Sequence, residues 1–339
     1  MNRAITAGGS LGVALDEEQC AYLTAVIAVD LGCAGKIAGV PSSLPDFFAR
    51  EPIALRVDGV GFLPIFETLV GLVPNADTYF DCLATLHKRR LKYQRILQTQ
   101  PIPTLNQVGP RGLLQYGSLS TGALAGFLFW RKWIFDIDNR AGQETGYIFE
   151  PIVARCVGGE AYSANRSPVK RRDRAADGRQ VDCIYDDRAY EIKMRVTVAA
   201  SGQGRWAEEK DFPADCRASG YTPVLLVFDD TQADKLDELS AIFLREGGEV
   251  RVGQGAWEHL EELAGPTMST FLEKYVRAPL KDLLDHAPER DRLPALTLST
   301  DGSEIVIRVD NKMLTIRRPA AAGIAIEAEE DSLPDEASG

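Results

Sequence analysis

Histidine is scarce in this chain, three in 339 residues (His87, His259 and His286), and none of the six cysteines forms a Cys-x-x-Cys pair. No zinc-ligand spacing can be assembled from so few donors. Nor is there a disulfide framework, so reduced thiols in a cytoplasmic protein are expected. The N-terminus has no basic stretch leading into a clean apolar run, and the run from Ala21 to Cys33 is short and broken by Asp30. Neither export nor a membrane span is expected from that. Cations are also in deficit, 38 Lys and Arg against 49 Asp and Glu, for a formal charge of -11. A deficit of this kind weighs against nucleic-acid binding, because Lys and Arg supply most of the affinity for phosphate.

The distribution of charge weakens that objection. The six acids after Gly323 (Glu327, Glu329, Glu330, Asp331, Asp335 and Glu336) are offset by no base, and setting them aside leaves -5 on residues 1–322. The bases are clustered. His87 to Arg95 holds five cations without an acid, and Arg166 to Arg179 holds six (Arg166, Lys170, Arg171, Arg172, Arg174, Arg179) against Asp173 and Asp177. Each cluster is either a solvated face or a phosphate contact. With 45% hydrophobic residues the chain can build a real core, and at roughly 100–200 residues per domain its length allows two or three units or, equally, a single core with appendages.

Periodicity predicts a mostly helical region over residues 1–110, with one helix opening at Leu15 and a longer one from Asp77 to Leu97 that ends before Pro101 and Pro103. Gly109-Pro110-Arg-Gly112 reads as a turn, and Tyr116 to Phe135 as buried helix. The segment from 140 to 230 has a sharper order. A helix from Gln143 to Val157 is followed by Gly158-Gly159, a basic loop, strands at Val181–Tyr185 and Ala189–Val198, helix from Arg205, unbroken or broken at Pro213, and an apolar strand at Tyr221–Phe228. Residues 234–286 read as helical, Ala295–Arg318 as a β-meander with turns at Asp301-Gly302 and Asn311-Lys312, and the acidic tail as disordered.

If Asp186 and Asp187 form the hairpin turn, Cys183 faces Tyr190, Val181 faces Ile192 and Asp182 faces Glu191. Val181, Cys183, Tyr185, Tyr190, Ile192 and Met194 then share an apolar face, while Asp182, Glu191, Lys193, Arg195 and Thr197 share a polar one. Two carboxylates opposed on a sheet repel unless something positive lies between them. Mg²⁺, which takes one or two carboxylates plus water and phosphate oxygens, would serve, and Lys193 would position or activate a water.

The layout of Asp182 followed by Glu191-Ile192-Lys193 resembles the signature of the PD-(D/E)xK nuclease superfamily. Two other acid-x-Lys tripeptides, Glu208-Glu209-Lys210 and Asp310-Asn311-Lys312, do not lie on paired strands. Gln180-Val-Asp-Cys-Ile, Glu191-Ile-Lys-Met-Arg-Val-Thr-Val-Ala-Ala-Ser-Gly-Gln-Gly-Arg-Trp206 and Asp215-Cys-Arg-Ala-Ser-Gly-Tyr-Thr-Pro-Val-Leu225 together resemble type II restriction endonucleases of the ApaLI-like family. The resemblance implies an α/β (mixed α+β) fold whose restriction-endonuclease-like core is a mixed sheet flanked by helices. It places that core at 111–235, between the helical region of 1–110, with a role in dimer or DNA contacts, and helices plus meander at 236–320, with the tail at 321–339. It implies Mg²⁺-dependent cleavage of both strands of double-stranded DNA at a short palindrome of the GTGCAC kind. A homodimer and a protecting DNA methyltransferase go with that activity.

On this resemblance Asp182, Glu191 and Ile192, the last in the place between the two signature residues, would hold the metal, and Lys193 would hold the nucleophilic water. Glu150, on the preceding helix, is either a supporting acid of the metal site or an exposed carboxylate, with Glu144 less well placed. Arg195 and Thr197 are expected at phosphates, together with Lys170, Arg171 and Arg172. Ser201-Gly-Gln-Gly-Arg-Trp206 is either a DNA-contacting loop, with Gln203 and Arg205 of the types that read base edges, or a turn anchored by Trp206. Two rival readings stand beside this one: a structure-selective repair nuclease of the same superfamily, and a non-catalytic DNA-binding or scaffold protein.

Overall fold

The computed structural model describes residues 11–194, 203–229 and 234–319. Its chain divides into two compact units, one formed by Leu15–Leu86 and Gly146–Arg277, the other by Asn2–Ala14, His87–Thr145 and Ala278–Gly339. The fold is mixed α+β, with a five-stranded mixed sheet in the first unit and a three-stranded antiparallel sheet in the second.

The first unit opens with α1 (Glu17–Asp30). Asp16 caps it by accepting the Gln19 N–H at 2.8 Å, and the Gln19 side chain accepts the Asp16 N–H in return at 3.1 Å. After α2 (Phe62–Leu72) comes α3 (Ala76–Thr99), which stops just before Pro101 and Pro103 as expected. Asp30, at the end of α1, accepts from the hydroxyls of Tyr79 on α3 and Tyr275 in the π-helical turn Glu273–Arg277, and pairs with Lys274. One carboxylate thereby ties three separate segments.

In the second unit the expected turn at Gly109-Pro110 is instead the interior of a short helix, α4 (Leu105–Gly112). At the start of this helix the Gln107 side chain accepts the Thr104 N–H at 3.1 Å and the Gln107 N–H donates to the Thr104 carbonyl at 3.1 Å, and one glycine and one proline do not break the turn that follows. The expected buried helix at 116–135 and the separate helix from Gln143 are one element, α5 (Thr121–Val157). Much of its first half is not buried: Phe127 and Phe135 are exposed, and Leu124, Leu128 and Trp133 supply the core contacts. An apolar count cannot separate a buried helix from one that buries a single stripe. Trp133 packs with Ile305 and Ile316 of the meander β6 (Leu296–Thr300), β7 (Glu304–Val309), β8 (Lys312–Arg317). The second meander turn falls on Asp310 and Asn311, one residue earlier than expected, because Val309 pairs with Lys312. Helix α9 (Ala278–Asp285) completes the described part of this unit, and the acidic tail lies outside the described residues.

The five-stranded sheet follows α5. The helix ends on Gly158 at φ 84°, and the N–H of Gly159 closes back onto Ala154 at 3.0 Å. A Cβ on Gly159 would lie 2.4 Å from the Cys183 sulfur, so only glycine lets the chain cross the sheet there. The strands run in the order β1 (Glu160–Tyr162), β2 (Val181–Tyr185), β3 (Arg188–Lys193), β4 (Thr222–Val227), β5 (Glu249–Val252). The first three are antiparallel and the last three parallel. The hairpin register is as expected, with Cys183↔Tyr190, Ile184↔Ala189 and Tyr185↔Arg188. Helix α6 (Gln203–Ala218) is the crossover from β3 to β4 and runs unbroken through Pro213.

The stretch expected to be helical from 234 to 286 is interrupted by β5, between α7 (Asp234–Arg245) and α8 (Gln254–Leu272). Four residues are too few to display a period of two. The polar face of the hairpin is covered. Phe212 and Cys216 of α6 and Leu236, Leu239 and Phe243 of α7 pack against Ala189, Leu225 and Val227, which share the face of Glu191 and Lys193. The reason is the parallel half of the sheet, which is covered on both sides. The acids thus occupy a half-buried recess at the carboxyl ends of β3 and β4, not a wet surface.

Candidate active site

A cleft of about 270 Å³ opens where β2 and β3 meet the first turns of α6, and Glu150, Asp182, Glu191, Ile192, Lys193 and Glu209 are among its lining residues. The three-pair ladder between β2 and β3 ends at Cys183↔Tyr190. One step further, the Ile192 N–H donates to Asp182 Oδ2 at 2.8 Å. That bond fixes one carboxylate oxygen and tethers the strand that carries Glu191 and Lys193. The Ile192 side chain points to the buried face, and only its backbone is available to the cleft chemistry.

Electrostatics inside the cleft are dominated by negative charge. Burial, then Glu191, then Glu150 hold the Asp182 carboxyl well above the ordinary carboxylate range. Lys193 Nζ donates to Glu191 Oε1 and Glu209 Oε1, each at 3.1 Å. Burial by itself would lower its pKa, but Glu191 and Glu209 outweigh that, so the ammonium stays charged above its usual range. In this arrangement Lys193 is a donor and a counter-charge to the two carboxylates.

The donor set fits a hard divalent cation. Among the described residues no three acidic, histidine or cysteine side chains are arranged as a cage. Mg²⁺ does not require one, since it commonly keeps its waters and takes one or two carboxylates. Burial and the repulsion of Glu191 and Glu150 together raise Asp182, and that load is what such a cation would relieve.

Sequence reasoning missed Glu209. Its tripeptide, Glu208-Glu209-Lys210, does not lie on paired strands, yet α6 brings Glu209 onto Lys193 while Lys210 turns to Glu238 and lies over Trp206. The available signal was helical spacing: Glu209, Phe212 and Cys216 lie three and four apart, on one face. Glu144, by contrast, is buried between Arg89 at 3.0 Å and Lys92 at 2.9 Å in the other unit, as a structural ion pair.

The basic loop before β2 is docked on α6. Arg179 Nε reaches the buried Asp215 at 2.6 Å, Arg172 reaches the same carboxylate at 3.3 Å, and Arg171 pairs with Glu208 at 3.1 Å. Lys170, Arg171 and Arg174 border a second recess of about 370 Å³ that shares Ala164 and Arg171 with the cleft. A Cβ on Gly178 would lie 1.9 Å from the Ala164 carbonyl oxygen, a close approach that closes this loop on itself. Arg195 and Thr197 lie outside the described residues, as do the side chains of Gln203 and Arg205 in the first turn of α6.

Comparison with known proteins gives a consistent result. The family model of the ApaLI-like restriction endonucleases matches residues 67–277. A type II restriction enzyme ApaLI from Acetobacter pasteurianus is 40% identical over 354 aligned positions, covering 97% of this chain and 94% of that one. No solved structure matches. Among the described residues no helix is long and apolar enough to cross a membrane. On these matches the chain belongs to the ApaLI-like family of type II restriction endonucleases, hydrolases that act on DNA.

Proposed function

We propose that this chain is a Mg²⁺-dependent deoxyribonuclease that cuts both strands of duplex DNA at a short palindrome of the GTGCAC kind. It would act in the cytoplasm as a homodimer whose two-fold axis matches the palindrome, beside a methyltransferase that protects host DNA. The observation that carries the reading is the charged Lys193 beside Glu191 in the cleft that also holds Asp182 and Glu150.

Asp182, Glu191 and the Ile192 backbone would hold the cation, with Glu150 adding charge behind them. Once bound, it would withdraw charge from a phosphoryl oxygen and make water a stronger nucleophile at neutral pH. The Ile192 N–H keeps Asp182 oriented for this. Lys193 donates to the attacking water or to a phosphate oxygen, and its positive charge balances that building on phosphorus. The packed apolar residues of α6 and α7 limit water at the back of the recess, which strengthens each of these interactions. Lys170, Arg171 and Arg172 carry the flanking phosphates from the adjoining loop.

Digestion of fully sequenced, unmethylated phage DNA tests the proposal. Discrete fragments in Mg²⁺, absent in EDTA and with Lys193→Ala, are expected, and their ends give the site and stagger. Intact DNA in every lane would remove the proposal and make branched substrates the next ones to try.

A further inference from the structure

We infer that Glu209 is a positioning residue for the reaction: it holds the Lys193 ammonium over the cleft and draws it off Glu191, leaving Glu191 able to take a cation. The inference rests on the reading of Asp182, Glu191 and Lys193 as the reacting centre. Lys193 is split evenly, 3.1 Å from a carboxylate oxygen on its own strand and 3.1 Å from one on α6. An ammonium has three donors, so these two bonds leave a third for water or phosphate.

The two carboxylates are held independently. Glu191 sits two residues before Lys193 on β3, whereas Glu209 belongs to a helix fixed by buried Phe212 and by the Arg179–Asp215 pair. When a divalent cation approaches Glu191, it repels the neighbouring ammonium and competes with it for the same oxygens. With Glu191 as its sole partner, Lys193 would either block the cation or be expelled by it. Glu209 supplies a second anchor that does not depend on Glu191, so the ammonium can yield Glu191 without leaving the cleft.

A double-mutant cycle on the full chain tests this, with wild type, Glu209→Gln, Glu209→Asp, Lys193→Ala and Lys193→Ala/Glu209→Gln. Each protein is assayed for single-turnover cleavage in Mg²⁺, for Ca²⁺ affinity by calorimetry without DNA, and for Tm. Removing a group that orients a cation site characteristically costs about 10–100-fold, and Glu209→Gln is expected to lose that much in cleavage rate. KM for DNA should stay within about twofold, since the loss is confined to the reacting step. Glu209→Asp should recover part of the rate. Ca²⁺ should bind Glu209→Gln more weakly than wild type, but the double variant should bind it as Lys193→Ala does, because Glu209 acts through Lys193.

Wild-type cleavage by Glu209→Gln, with only a lower Tm, would reduce Glu209 to a structural ion pair and overturn the inference. An equal loss of Ca²⁺ affinity with and without Lys193 would make Glu209 a direct ligand and overturn it as well. Wild-type cleavage by Lys193→Ala, or none by the wild type, would instead bring down the reading of the centre itself.

Discussion

Asp182 shows how a single side chain can work against the fold that presents it. Burial and two neighbouring carboxylates hold its pKa above the ordinary value, so between those two pKa values the folded chain binds a proton that the unfolded chain has released. The stability tied to this group is thus present at low pH, falls as pH rises from the ordinary carboxylate range to the raised value, and stays low above it. Asp182→Asn removes the charge and keeps an oxygen to accept the Ile192 N–H. It is expected to stabilise the metal-free protein by about 1–2 kcal/mol at neutral pH while abolishing cleavage. Calorimetric melting in EDTA across the acid range checks this: the wild-type curve should decline toward neutrality relative to that of the variant. Parallel curves would mean that Asp182 carries no penalty and that the carboxylates are relieved without a cation. Ca²⁺ should raise the wild-type Tm more than that of the variant.

Elements differ in how far they can be read from sequence, and the hairpin and α6 mark the two ends. The hairpin was legible because alternation over Val181–Tyr185 and Arg188–Lys193, together with a two-residue Asp turn, fixes the register, and one slip would invert every side chain. That register puts Asp182, Glu191 and Lys193 on one face and Ile192 on the other. The order of elements puts Glu150 beside the site, whereas Glu209 is marked only by its helical spacing with Phe212 and Cys216, which does not say which way that face turns, since a helix's rotation about its axis is set by packing. The covering of the acid face was hidden for the same reason, and the first strand, Glu160–Tyr162, is too short to register. What holds α6 in place is testable. Arg179 and Asp215 are both buried, and Arg172 adds its backbone N–H at 3.0 Å and a longer, half-exposed side-chain bond at 3.3 Å to the same carboxylate. Arg179→Met should cost about 3–5 kcal/mol, the cost of leaving a buried charge short of its partner, read as a lower urea midpoint with unchanged slope. It should also expose Arg166 to Arg174 to trypsin. A loss below about 1 kcal/mol would place the pair with ordinary surface bridges.

Across the whole molecule, the question is how a chain with a formal charge of -11 meets a polyanion. Its two basic clusters are alike in sequence, but the structure separates them. In His87–Arg95, Arg89 and Lys92 converge on the buried Glu144 and Arg95 donates to the Gly12 carbonyl, so these cations serve the packing of α3. In the loop before β2, Lys170 is exposed and lines the second recess, which shares Arg171 with the cleft, and Arg172 is half-exposed beyond its bond to Asp215. If only the loop carries phosphates, substitutions in the two clusters have different signatures. Lys170→Gln/Arg172→Gln should weaken DNA binding at low salt and reduce the slope of log K against log salt by about 0.9 for each phosphate contact removed. Arg89→Gln should lower Tm and leave that slope alone, because the charge it removes is neutralised inside the protein. Binding isotherms from 50 mM salt upward, with Ca²⁺ in place of Mg²⁺ so that the DNA stays intact, separate the cases. A slope unchanged by the loop substitutions would mean that the loop's cations serve only to dock it on α6, and the phosphates would then have to be met by residues beyond β3.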